Sequence, residues 1–332
     1  MLNFVVRRLL IMIPTLLVIS LIIFVIIKLP PGDYFSTYIA ELQSQGEAVD
    51  LQKIAFLKAQ YGFDKPVWEQ YAYWVAGLLQ GDLGYSFAYN LPVRDVVGDR
   101  LMLTFVVSFA TIVFTYIVAF PIGIYSATHQ YSWSDHALTF IGFLGLATPN
   151  FLLALVLLYL ANVYFGLSIG GLMDERFLGE PWSVAKALSV LSHLWIPVIV
   201  IGLSGTAGMI RRLRANLLDE LQKQYVTTAR AKGLSPFRTL MKYPLRMALN
   251  PFISDIGSLL PHIISGAAVV SVVLSLPTTG PMLLEALRSQ DMYLAGSFLM
   301  FLATLTVIGM FLSDLALAAL DPRIRLSGGV TR

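Results

Sequence analysis

Few residues in this chain have the type and spacing to do chemistry. Gly166 to Gly170 spell GLSIG, matching the GxSxG nucleophile elbow, which needs Ser168 on a strand-to-helix turn with a histidine partner. This copy lies at the outer end of an apolar run, so it reads as chance; taken literally it would imply an intramembrane serine hydrolase. His129 and His136 flank a short segment without the HExxH spacing of a zinc helix. Cysteine is absent, which excludes disulfides, thiolate metal sites and cysteine nucleophiles. No GxxxxGK[ST] phosphate loop occurs, so a nucleotide site is expected only on another chain. No catalytic residue, metal or cofactor is expected here.

Ionisable groups inside apolar runs are the other candidates, because each costs about 2.5 to 3.5 kcal/mol at the centre of a membrane helix. Lys28, Asp255 and Asp314 lie near run ends, where a long side chain can snorkel and the cost falls. His193 and His262 lie further in, and a lone histidine there is expected to hydrogen-bond to a neighbouring helix. Asn150, Asp255 and His262 are the candidates for lining a substrate pathway. An ion-coupled secondary transporter would need an embedded carboxylate, and their scarcity argues for energy from elsewhere.

These groups are carried by membrane helices. The 332 residues are 57% hydrophobic and 13% charged, whereas soluble domains are about one quarter charged. Mean hydropathy is +0.72. The net charge of +3 sits in short segments flanking apolar runs, a pattern of membrane topology rather than nucleic-acid binding. Hydrocarbon leaves no backbone group unpaired, so apolar runs of this length must be helices. Six are expected: Leu9 to Leu29, Leu101 to Thr128, Ala137 to Phe165, Leu191 to Ile210, Phe252 to Leu276 and Leu294 to Leu320. The first follows Arg7 and Arg8, is too long for a signal peptide and reads as an uncleaved anchor.

Placing Arg7 and Arg8 inside puts both termini and Arg211 to Asn250 in the cytoplasm. The inside segments then hold 14 Lys and Arg, against 2 and 1 in the two short external loops, which fits the positive-inside rule. Prolines 14, 121, 149, 197 and 261 fall within runs, where kinks suit a gated path but are also common in packed membrane helices. Gly142, Gly145, Gly202, Gly205 and Gly208 are expected to let helices approach closely.

The segment Arg211 to Asn250 carries nine Lys or Arg against Asp219 and Glu220. It reads as a helix leaving the membrane and a short helix over Val226 to Lys232 stopped by Gly233. A third helix then starts with Ser235 as N-cap and Pro236 at its first position. Charge pattern alone also allows a loop lying on anionic lipid.

TTARAKGL followed by YPLRMALNPFI resembles the cytoplasmic EAA-type loop of ABC importer permeases, in its oligopeptide and dipeptide form. RRLLIMIPTLLVISLIIFVI to PPGD, YGFDKPVWEQYAYWVAGLLQGDLGYSF and the terminal DPRIR extend the resemblance over nearly the whole chain. Met247, Ser271 and PTTG at Pro277 to Gly280 depart from that branch, which usually has Asn, Glu and PGLG there.

The resemblance implies an all-α polytopic membrane protein of the type I ABC importer permease fold. It would sit in a bacterial inner membrane and move short peptides, with oligosaccharides as the alternative cargo. It implies a second homologous permease, two ATP-binding subunits holding ATP and Mg, an extracytoplasmic solute-binding protein and surrounding lipid as partners. It further implies that Thr227, Thr228, Ala229, Arg230, Ala231, Lys232, Gly233 and Leu234 form the coupling helix. Small Ala229 and Ala231 would permit close docking, and Arg230 and Lys232 would pair with acids on an ATP-binding subunit. The expected domain plan is an anchor over 1–30, an extracytoplasmic segment with interfacial helices over 31–100, a permease domain over 101–320 containing the coupling loop 211–250, and a tail over 321–332. Within 31–100, Trp68, Tyr71, Tyr73 and Trp74 fall in one stretch of amphipathic helix. Such aromatics suit the headgroup boundary, and the resemblance adds a docking face for the binding protein.

Overall fold

The computed structural model describes residues 2–45, 51–166, 170–177, 180–252, 255 and 268–320. In order it runs α1 (Leu2–Lys28), α2 (Tyr34–Ser44), α3 (Leu51–Gln60), α4 (Val67–Leu79) and a short antiparallel pair, β1 (Tyr85–Ser86) with β2 (Leu91–Pro92). Then come α5 (Val93–Thr128), α6 (Trp133–Ala147), α7 (Asn150–Phe165), α8 (Val184–Leu221), α9 (Gln224–Ala231), α10 (Pro236–Lys242) and α11 (Pro244–Ala248). The last helices are α12 (Ala268–Val273), α13 (Thr279–Arg288) and α14 (Met292–Leu320).

Among the described residues, four helical stretches are long and apolar enough to cross a bilayer: Val5–Lys28, Val93–Thr128, Val184–Leu221 and Met292–Leu315. The expected single span Ala137 to Phe165 is instead two helices, α6 and α7, bent by 99° at Thr148 and Pro149. Proline removes an N–H and pushes the preceding residue out of the helical region, and Thr148 is indeed extended at ψ 121°. The Thr148 N–H and hydroxyl both donate back to the Leu144 carbonyl, at 3.0 and 2.8 Å, closing the end of α6. Prolines 14, 121 and 197 stay inside helices. Most of the run expected over 252–276 lies outside the described residues; α12 is its described end.

The chain divides into two compact units, chiefly Met1–Leu103 with Thr278–Leu315, and Thr104–Pro277. In the first, the α4 aromatics split rather than lying together at an interface. Tyr71 and Trp74, three residues apart, turn onto Phe24 of α1 with ring centroids 5.3 and 6.1 Å away. Trp68 and Tyr73 face outward, at 70% and 58% exposure. The Tyr71 hydroxyl lies 2.8 Å from Ser20 Oγ, Trp74 Nε1 donates to Ser297 Oγ at 3.3 Å, and Lys28 Nζ donates to Gln70 at 2.6 Å. Arg8 pairs with Asp314 at 2.9 Å, holding the start of α1 beside the end of α14.

Just past α1, burial alone would push the Asp33 carboxyl up, but Lys58 at 2.9 Å and Ser36 outweigh it and hold the group below its usual range. A depressed carboxyl stabilises the fold above its unfolded pKa, near 4, and the benefit is lost as pH falls through the folded value. Asp33→Asn is therefore expected to lower the thermal midpoint of the detergent-solubilised chain at pH 7, with the gap to wild type closing on acidification below about pH 4. A gap that stays constant with pH would refute the pairing.

In the second unit, two of the five glycines expected to permit close approach act as spacers, while Gly142, Gly205 and Gly208 have room for a Cβ. A Cβ on Gly202 would stand 2.7 Å from Phe114, and one on Gly145 would stand 3.0 Å from Leu203. Helix α8 is 38 residues long, about 57 Å at 1.5 Å per residue, against roughly 30 Å of hydrocarbon. Its surplus carries Arg211, Arg212 and Arg214 beyond the apolar stretch.

Candidate functional site

The basic segment after α8 is seated on an apolar cluster. Leu213 and Leu217 of α8 are fully buried with Ala119 and Ala127 of α5, Leu245 and Ala248 of α11, and Phe252. The next helix, α9, has one inward edge, Val226 and Ala229, three residues apart and 1% and 5% exposed. Thr227, Thr228, Arg230, Ala231, Lys232 and Gly233 are exposed, and Leu234 is half-buried. Of the two small residues expected to permit close docking, Ala231 is exposed, while the helical period turns Ala229 inward to the same side as Val226.

The end of α9 follows from Gly233. Its φ of +81° is left-handed, a conformation that costs a residue bearing a Cβ about 1–2 kcal/mol. It allows a Schellman closure, with Leu234 N–H donating to Ala229 O at 3.2 Å and Gly233 N–H to Arg230 O at 2.9 Å. The next helix begins as its residues suggest: Ser235 Oγ accepts from Arg238 N–H at 3.4 Å and Pro236 occupies the first turn. Tyr225 donates its hydroxyl to Glu220, tying α9 to α8; burial and that carboxylate both push the phenol's pKa up. The outcome is a short rigid helix with Arg230 and Lys232 projecting and no ion-pair partner for either among the described residues.

Two arginines of the α8 extension brace this platform, and sequence reasoning missed both. Arg214 donates to both carboxylate oxygens of Asp135, from Nε at 3.1 Å and from a terminal nitrogen at 2.8 Å. Asp135 is 2% exposed and also accepts from Tyr131 N–H, while its own N–H is capped by Ser132 Oγ. Arg212 pairs with Asp255 at 2.7 Å and stacks over Phe252. The Ser132 to Asp135 spacing is a visible helix start, but nothing local points to a cation 79 residues away.

Two of the three pathway candidates fall among the described residues. Asp255 is engaged by Arg212, Asn150 is half-buried in the first turn of α7, and His262 lies outside the described residues. His193 is 8% exposed, with Nδ1 on the carbonyl of Ser189 in its own helix at 2.8 Å and Nε2 facing Asp174 at 3.9 Å. It bonds its own preceding turn, and its second nitrogen faces the segment before α8. Ser168 lies outside the described residues, and Gly166 before it is the left-handed cap of α7, so the elbow pattern follows a helix rather than a strand.

The family model described as binding-protein-dependent transport system inner membrane component matches residues 119–326. Its companion for the N-terminal region of such membrane components matches residues 1–110. The chain is 32% identical to the oligopeptide transport system permease protein AppB of Bacillus subtilis over 97% of this chain and 98% of the relative. It is 29% identical to the dipeptide transport system permease protein DppB of Escherichia coli K12 over 98% and 99%. It is 30% identical to the glutathione transport system permease protein GsiC of Escherichia coli O6:H1, also over 98% and 99%. A helical chain with several apolar spans, matched end to end, belongs to the binding-protein-dependent transport system inner membrane components: it is a permease subunit of an ABC importer, with the type I permease fold.

Proposed function

We propose that this subunit forms half of a peptide pathway and receives mechanical work through α9. Two ATP-binding subunits, which carry the ATP and Mg, dock on the basic loops of this chain and of a homologous second permease. An extracytoplasmic binding protein delivers the solute to the segment 31–100. The carrying observation is α9 itself, a capped helix held on its inner edge by Val226 and Ala229, with the cationic pair Arg230 and Lys232 outside. A rigid element of this kind passes on a rigid-body closure without absorbing it. Nucleotide-driven closure then opens the pathway outward, and hydrolysis resets it, as a population shift between two states. Peptide is favoured as cargo by the names of the relatives, which transport oligopeptides, dipeptides and glutathione.

Both termini and the basic loop are cytoplasmic in this reading, which the charge distribution and the Arg8–Asp314 pair support. The chain has no cysteine, so Ser235→Cys is a single label site without further mutation. A membrane-impermeant maleimide is expected to label it only in permeabilised cells; labelling in intact cells refutes the orientation and with it the docking role. Uptake of labelled dipeptide and of labelled oligosaccharide into cells expressing the full system decides the cargo. Peptide uptake is expected, and oligosaccharide uptake alone overturns it.

A further inference from the structure

We propose that the cleft between α6 and α8 is a binding site for one anionic phospholipid, in the leaflet on the side of the basic loop. The cleft has a volume of about 260 Å³. Its two ends differ chemically. One lip holds Arg211 and His136, both exposed, with no side-chain hydrogen bond or ion pair for either among the described residues. Arg214 and Asp135 also line it, paired with each other through two of the arginine's nitrogens, which leaves Arg211 as the uncompensated cation. The other end is apolar, made by Gly142, Phe143, Leu146 and Ala207.

The surroundings are those of a lipid boundary. Phe140, Ile141, Phe143 and Leu144 are 52–64% exposed along α6, and residues of that type face hydrocarbon. At the start of the same helix Tyr131 and Trp133 are 74% and 93% exposed, the position of an interfacial aromatic belt. A cationic lip at headgroup depth over an apolar furrow is complementary to a phosphate with the first part of one acyl chain. Basic pockets between membrane helices on the cytoplasmic side hold anionic headgroups by this means. Gly142 keeps the furrow open: a Cβ there would meet only Ala207, at 3.8 Å, so a larger side chain enters the cleft instead of clashing with backbone.

The test is native mass spectrometry of the full-length chain, purified with its co-expressed second permease and titrated with phosphatidylglycerol or phosphatidylcholine. Wild type is expected to retain one phosphatidylglycerol with roughly fivefold or greater preference over phosphatidylcholine, as charge attraction at such a lip requires. Arg211→Ala with His136→Ala should abolish the preference, and Gly142→Leu, which leaves the charges in place, should expel the lipid. Should Gly142→Leu fail to fold, the charge variant decides alone. Equal retention of the two lipids by wild type, or unchanged retention in the charge variant, overturns the site. So does efficient crosslinking of Phe143→Cys to the second permease, since protein would then cover the cleft.

Discussion

Gly233→Asp is expected to stop solute uptake by the assembled importer while ATP hydrolysis continues. The left-handed φ of +81° at this residue costs a residue bearing a Cβ about 1–2 kcal/mol, less for aspartate than for alanine, and works against the Schellman closure that ends α9. The carboxylate also lands beside Arg230 and Lys232, cancelling charge on the face proposed to meet an ATP-binding subunit. Nothing lies within 4 Å of a Cβ built there, so the defect is conformational and electrostatic rather than steric. Gly233→Ala isolates the conformational part and should be milder. In proteoliposomes, phosphate released per solute imported should rise about tenfold or more for the aspartate variant, the ratio that a 1.4 kcal/mol bias produces. An unchanged ratio would remove α9 from the coupling path.

The second large effect concerns the Asp135 and Arg214 pair. Removing one partner of a buried ion pair strands the other and costs about 3–5 kcal/mol. Arg214 is 27% exposed, so the lower end applies. Asp135→Ala is expected to lower the thermal midpoint and membrane abundance sharply. Asp135→Asn should be intermediate, since an amide oxygen still accepts from Tyr131 N–H. A double-mutant cycle with Arg214→Ala should show a coupling energy of at least about 2 kcal/mol. Strict additivity of the two single variants would mean that the bidentate contact contributes nothing to folding.

What the chain discloses about itself divides by range. The turn after α9, the cap at Ser235 and the continuation of α8 are local events governed by Gly233, Ser235 with Pro236, and an uninterrupted helical stretch, so they are readable before folding. The Asp135 partner is a tertiary fact, and so is the inward face of Ala229, which depends on what α9 rests on. Proline gives a third case. Residues 14, 121 and 197 are absorbed into helices and 149 is not, although all four lie in comparable apolar runs. At the break Thr148 is extended, and its N–H and hydroxyl both return to the Leu144 carbonyl to close the end of α6. The pathway-lining set is the least legible part, because polar groups at depth acquire meaning only from the helix facing them.

The right angle at Thr148 and Pro149 changes how this stretch occupies a membrane. Laid straight, residues 133–164 would measure roughly 48 Å at 1.5 Å per residue, well over the ~30 Å available. Folded at 99°, one limb standing upright forces the other to lie almost flat. With one limb upright, the surplus length turns into sideways reach of about 20 Å within the plane of the lipids. A molecule packing against that limb would then have to accommodate it, so the elbow bears on lateral spacing as well as on depth.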